Sequence, residues 1–166
     1  MKKYFIIIVL ALAFVGMHCS PEDLKPFEPV NHGEVTSLFG TWKGSSINQR
    51  DIGAESKGFP YKNEDLTSIL GFTNVKVTLN GTASAPSTFT IDYGTAPAFF
   101  KFNTGNWKVD NTVKVGKVYL INAANTDTIT MAMGSYQDLL NNKLSFTQTK
   151  TLLGSPVIVY EYKFSK

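Results

Sequence analysis

The sequence predicts an all-β chain, an antiparallel up-and-down barrel of about eight strands with one short helix in the long connection after the first strand. Three observations carry that expectation. Short runs of alternating apolar and polar residues recur from residue 41 to the end of the chain, separated by Gly, Pro, Asn and Asp. No stretch holds a helical period for more than about three turns. A glycine placed two residues before a tryptophan opens a strand pattern twice, at Gly40-Thr41-Trp42-Lys43 and at Gly105-Asn106-Trp107-Lys108. Both read as points where strands roll into a closed cylinder, with the indoles buried.

The first 18 residues fall outside the domain. Lys2 and Lys3 form a basic start, and Tyr4 to Val15 is an unbroken apolar run. That run is shorter than the roughly 20 residues a membrane span needs and fits a lipoprotein signal peptide. Cys19, the single cysteine, stands where cleavage would expose it for lipidation. A lone cysteine has no internal disulfide partner, and a lipid would give it a use. The expected address is the bacterial outer membrane, lipid-anchored on its periplasmic face or at the cell surface. Residues 19–36, with Pro21, Pro26 and Pro29 and little apolar periodicity, read as the lipidated cysteine and a flexible tether.

Residues 37–166 are the expected barrel domain, enough chain for one substantial core. Without Lys2 and Lys3 the basic residues fall from 16 to 14 against 13 acids, so net charge drops from +3 to +1. No basic stripe remains to hold nucleic acid, and a monomer is expected.

Thr41 to Arg50 reads as the first strand, with Trp42, Gly44, Ser46 and Asn48 on the inward face and Lys43, Ser45, Ile47 and Gln49 opposite. Alternation stops from Asp51 to Gly71. There Asn63 can cap a short helix, Glu64 and Asp65 suit its positive end, and Leu66, Ile69 and Leu70 give it an apolar face. Val75, Val77 and Leu79 then share a face, followed by a turn at Asn80-Gly81. Phe89, Ile91 and Tyr93 alternate with Thr88, Thr90 and Asp92. Phe99, Phe100 and Phe102 lead into the strand of Trp107 and Val109. Val115 to Ile121 is apolar on both faces, and Ile129, Met131 and Met133 mark the next strand. Ser135, three residues before Asp138, resembles a capping box for a single helical turn. Leu144 and Phe146, then Ile158, Tyr160, Tyr162 and Phe164, complete the meander.

At these residues the chain resembles the lipocalin-like domains of Bacteroidetes-type lipoproteins, a family of unknown function. The resemblance rests on the lipoprotein-like start, Gly40-Thr41-Trp42-Lys43, Gly58-Phe59-Pro60, Asp65-Leu66-Thr67, Gly105-Asn106-Trp107 and the closing Val159-Tyr160-Glu161-Tyr162-Lys163-Phe164. It implies a lipocalin-like barrel at the envelope. It supplies no ligand and no binding residues.

Catalysis and metal chemistry find no residues to use. The two histidines are His18 and His32, both outside the expected barrel. A histidine-dependent triad or dyad and a histidine-ligated metal site are therefore excluded from it. Asp92, Asp110, Asp127, Asp138 and Glu161 fall in turns or on outward faces, and no phosphate loop or dinucleotide fingerprint is present. No enzyme, cofactor or metal is expected.

The expected inward side chains are Trp42, Phe89, Ile91, Tyr93, Trp107, Met131, Met133, Tyr160 and Tyr162. Aromatics with polar tips and pliable methionines suit a small hydrophobic or amphipathic ligand held inside the barrel, with Asp51 to Gly71 as a lid. Two other readings share the fold. One is a surface interaction module, carbohydrate-binding or adhesin-like, with a filled barrel and exposed aromatics such as Tyr61, Phe99 and Tyr119. The other is an inhibitor of an envelope enzyme.

Overall fold

The computed structural model describes residues 35–82 and 85–166. The expected signal peptide, Cys19 and the tether up to residue 34 lie outside the described residues. Nine strands form one antiparallel sheet. They are β1 (Gly40–Asp51), β2 (Asn63–Asp65), β3 (Lys76–Thr82), β4 (Ala85–Asp92), β5 (Thr104–Val109), β6 (Lys117–Asn122), β7 (Thr128–Met133), β8 (Lys143–Leu152) and β9 (Ser155–Ser165). From β3 to β9 each strand pairs with the next, and β1 pairs with both β3 and β9. Those eight strands close a cylinder, which leaves the far half of one β1 edge without a partner from among them. The ninth, β2, is added outside the closure. One edge of β1 pairs first with β3, through Gly40 to Lys43, and then with β2, through Asn48 to Arg50.

The two Gly-x-Trp signals mark buried indoles that hold one end of the cylinder shut. Trp42 is 1% exposed and Trp107 is 2% exposed. The Trp42 Nε1–H donates to the Leu38 carbonyl at 2.7 Å, and that of Trp107 donates to the Asn80 carbonyl at 2.7 Å. Leu38 belongs to a 3-10 turn, Val35–Leu38, whose two apolar residues are fully buried. This plug takes in Val35 and Thr36, which the sequence assigns to the tether. Lys166 locks it, with its ammonium 4.2 Å from the Trp42 ring centroid and donating to the Ser37 carbonyl at 3.2 Å. Gly105 is required by close approach, because a Cβ there would strike the carbonyl oxygen of Ile121 on β6.

The other end is filled from two connections. Phe72, in the 3-10 turn Phe72–Asn74, lies 5.3 Å from Phe164 and 6.1 Å from Tyr162 between ring centroids. Phe99 and Phe100, from the connection between β4 and β5, lie 6.0 and 5.2 Å from Tyr162. Each large apolar side chain buried this way contributes about 1.5–3 kcal/mol. The interior of an eight-stranded barrel is just wide enough for such side chains to fill it.

Three local expectations give way. The helix of the long connection is α1 (Ile52–Ser56), not a helix beginning at Asn63. Asp51 Oδ1 accepts from the Ala54 N–H at 2.9 Å and starts α1, while Asn63 to Asp65 are taken up by pairing with the free half-edge of β1. The Asn80-Gly81 pair lies inside β3, at a register shift, rather than at a turn.

The third concerns β1. A bulge between Gly44 and Ser46 reverses its alternation, so Ile47 and Gln49 point inward and Asn48 and Arg50 outward. Its cause is the chain crossing at Phe72. A Cβ on Gly44 would collide with the Phe72 carbonyl, and the Gly44 N–H donates to the Val75 carbonyl at 2.8 Å. The expected capping box does form in part. Ser135 Oγ accepts from the Gln137 N–H at 3.2 Å and starts α2 (Tyr136–Leu140), while Asp138 turns instead to Ser145.

Candidate binding surface

The nine side chains expected to line a ligand cavity divide into two groups. Trp42, Phe89, Ile91, Trp107 and Met131 are buried in the common core, where they touch other core side chains. Tyr93, Tyr160 and Tyr162 gather toward the end filled by Phe99 and Phe100, and Met133 is half-buried against the core. Tyr160 and Tyr162 lie 6.2 Å apart between centroids, and Tyr93 meets Phe99 edge-on at 5.1 Å. The Tyr162 hydroxyl donates to Gln148 Oε1 at 3.2 Å, and the Tyr93 hydroxyl accepts from the Phe100 N–H at 3.3 Å. Burial, reinforced by repulsion from Tyr160 and Tyr93, holds Tyr162 neutral well above the ordinary tyrosine range. Burial likewise raises Tyr93, against the Phe100 hydrogen bond that favours its ionised form. Every buried polar side-chain atom among the described residues has a partner.

The expected aromatic platform does not assemble. Tyr61 is exposed, but Phe99 is packed inside and Tyr119 is half-buried beneath Lys108, whose ammonium lies 5.7 Å from its ring.

Concave surface is found on the outside of the cylinder, over β2, β1, β9 and β8. A groove of about 500 Å³ is lined by Asn48, Gln49, Arg50, Asn63, Glu64, Asp65, Thr147, Val159 and Glu161. Strand register explains the set. Thr147, Glu161, Asn48 and Asp65 lie directly opposite one another across the four strands, and Val159, Arg50 and Asn63 form the next row. Their inward neighbours on three of the strands, Phe146, Tyr162 and Ile47, are buried.

Arg50 is the one arginine of the chain. It reaches Glu55 of α1 at 3.7 Å, with both side chains about half exposed, so the pair is loose. Thr67, through its hydroxyl and its backbone N–H, holds the Asp65 carboxyl below the ordinary carboxylate value. Asp65 therefore faces the groove as an acceptor at any neutral pH. Carboxylates, amides and a guanidinium each present paired polar atoms, the geometry that grips adjacent hydroxyls, and Val159 adds a small apolar floor.

The groove is hidden in the sequence because plain alternation on β1 runs through the bulge unbroken, which puts Asn48 inside and leaves no polar row to see. Alternation on β9 sets Glu161 outward, as the structure does. No protein-family model matches the chain, and no curated protein matches it.

Proposed function

We propose that this protein is a non-catalytic binding module of the bacterial envelope, held at the outer membrane by a lipid on Cys19, that takes a saccharide in the outer groove of a filled lipocalin-like barrel. The observation that carries it is the contrast between an interior occupied by packed aromatics and an open groove lined by Asn48, Arg50, Asn63, Asp65, Thr147 and Glu161. The absence of histidine from residues 33–166 supports binding without chemical change. The lipoprotein-like start supports the anchor and, with the barrel, the kinship to Bacteroidetes-type lipocalin-like lipoproteins.

Glycan binding measured on the full-length protein and on Asn48→Ala and Glu161→Ala tests the groove. Both variants should keep the wild-type circular dichroism and lose binding. Full binding by both would overturn the proposal. Fatty-acid labelling that persists in Cys19→Ser would overturn the anchor.

A second reading, an amphipathic ligand inside the barrel, is favoured by the tyrosine layer of Tyr93, Tyr160 and Tyr162, whose hydroxyls lie among apolar rings. Such a ligand has to displace Phe99 and Phe100. Native mass spectrometry of protein purified gently from its own envelope distinguishes the two, since only an internal ligand should travel with the chain.

A further inference from the structure

The groove does not end at Glu161. A second concavity of about 410 Å³ lies farther along the same outer face, lined by Ser45, Asp138, Lys143, Leu144, Ser145, Lys163 and Phe164. The register makes the two continuous in line. On β9 the outward residues run Val159, Glu161, Lys163, and those opposite on β8 run Thr149, Thr147, Ser145. The row beyond Lys163 places Lys143 and Lys43 on either side of Ser165. Glu161 lines the first hollow and Lys163 the second, and the two are joined by an ion pair, Lys163 Nζ to Glu161 Oε2, 3.4 Å long with both side chains about half exposed.

From Val159 to Lys163 the strip is about 13 Å long at the ordinary strand rise. It therefore fits an oligosaccharide rather than a single sugar. Its charge changes sign along the way. The first hollow carries Glu64, Asp65 and Glu161 against Arg50, and the second carries Lys143 and Lys163 against Asp138. Asp138 Oδ2 accepts from the Ser145 hydroxyl at 3.0 Å, so the hollow sets two ammonium groups against one carboxylate. The bulge on β1 adds Ser45, an exposed hydroxyl beside the lysines. Two ammonium groups and a hydroxyl around a hollow make a seat for an anionic group. The weak bond from Lys163 to Glu161 is readily exchanged for one to a ligand, which also frees Glu161 to accept from sugar hydroxyls.

Resting on the saccharide reading above, the geometry points to an anionic oligosaccharide as the ligand. Its neutral hydroxyl-bearing units lie along Asn48, Arg50 and Glu161, and its carboxylate or sulfate is held by Lys143 and Lys163. The test is binding of the full-length protein to an array of neutral, uronate-containing and sulfated glycans of graded length, repeated with a Lys143→Gln/Lys163→Gln double variant. Both lysines are solvent-exposed, so the variant is expected to fold. Anionic glycans should be the ones retained, with uronate and sulfate arms showing which anion fits. The double variant should weaken them by about tenfold or more, the loss of a charge-assisted contact.

Added salt should weaken wild-type binding more than binding by the variant. Preference for neutral glycans, or anionic binding unchanged in the double variant, overturns this inference and leaves the groove reading standing. Binding of no glycan overturns both.

Discussion

The inner and outer faces of β8, β9 and β1 are built from the same strands and differ in everything else. Phe146, Tyr162 and Ile47 point inward and are at most 3% exposed, while Thr147, Glu161 and Asn48, each the next or preceding residue, point outward into a groove. One residue step along the chain exchanges a side chain that holds the molecule together for one free to hold something else. Stability and recognition can therefore be altered separately, residue by residue, and substitutions on the two faces should fail in opposite ways.

The hardest blow to the inner face is Trp42→Ala. It empties the largest core site and removes the hydrogen bond to Leu38, and should cost about 3–5 kcal/mol in a denaturant titration. Gly44→Ala comes next. A methyl group driven toward the Phe72 carbonyl should cost about 1–3 kcal/mol, and it tests whether the crossing at Phe72 imposes the bulge.

Tyr162→Phe should cost about 1 kcal/mol, because it strands the amide oxygen of buried Gln148. Wild-type stability should also carry the mark of this hydroxyl at high pH. The folded protein keeps Tyr162 neutral above the ordinary value of 10.0, so its contribution is complete below that pH. The contribution is lost as pH climbs above 10.0, where the unfolded chain ionises and the folded one resists. Unfolding measured from about pH 8 to about pH 11 should show the decline, and Tyr162→Phe should flatten it.

Smallest in stability, within about 0.5 kcal/mol, are Asn48→Ala and Thr147→Ala on the outer face. Their effect belongs to binding, where a loss of about tenfold or more is expected in a glycan titration. A large loss of stability at Asn48 would erase the distinction between the two faces.

The barrel itself was legible in the chain because closure leaves a mark at every strand. Alternation sorts inward from outward residues, and the paired Gly-x-Trp signals point to the indoles that seal one end. The contents of the barrel were far less legible. Phe99 looked like a surface ring, since nothing local reveals that the connection after β4 folds back into the cylinder. The groove was hidden by a different effect. Alternation is a local rule, and the bulge in β1 is imposed by Phe72, a residue far along the chain. From Ser46 onward the faces on that strand are inverted, so plain alternation puts Asn48 inside and Ile47 outside. Asn63 to Asp65 was ambiguous for a related reason. The acids suit a helix start, but the unpaired half-edge of β1 offers those backbones a ladder, and tertiary pairing overrides propensity.

Closure also governs how fast the molecule forms. Lys43 pairs with Ser165 and Asp51 with Ile158, so the seam joins the first strand to the last, and it cannot nucleate from neighbours in sequence. All-β barrels, which need such non-local pairing to close, fold on the millisecond-to-second scale. Until the seam is made, β1 and β9 each present an unsatisfied ladder, and refolding at high protein concentration should lose material to association between chains.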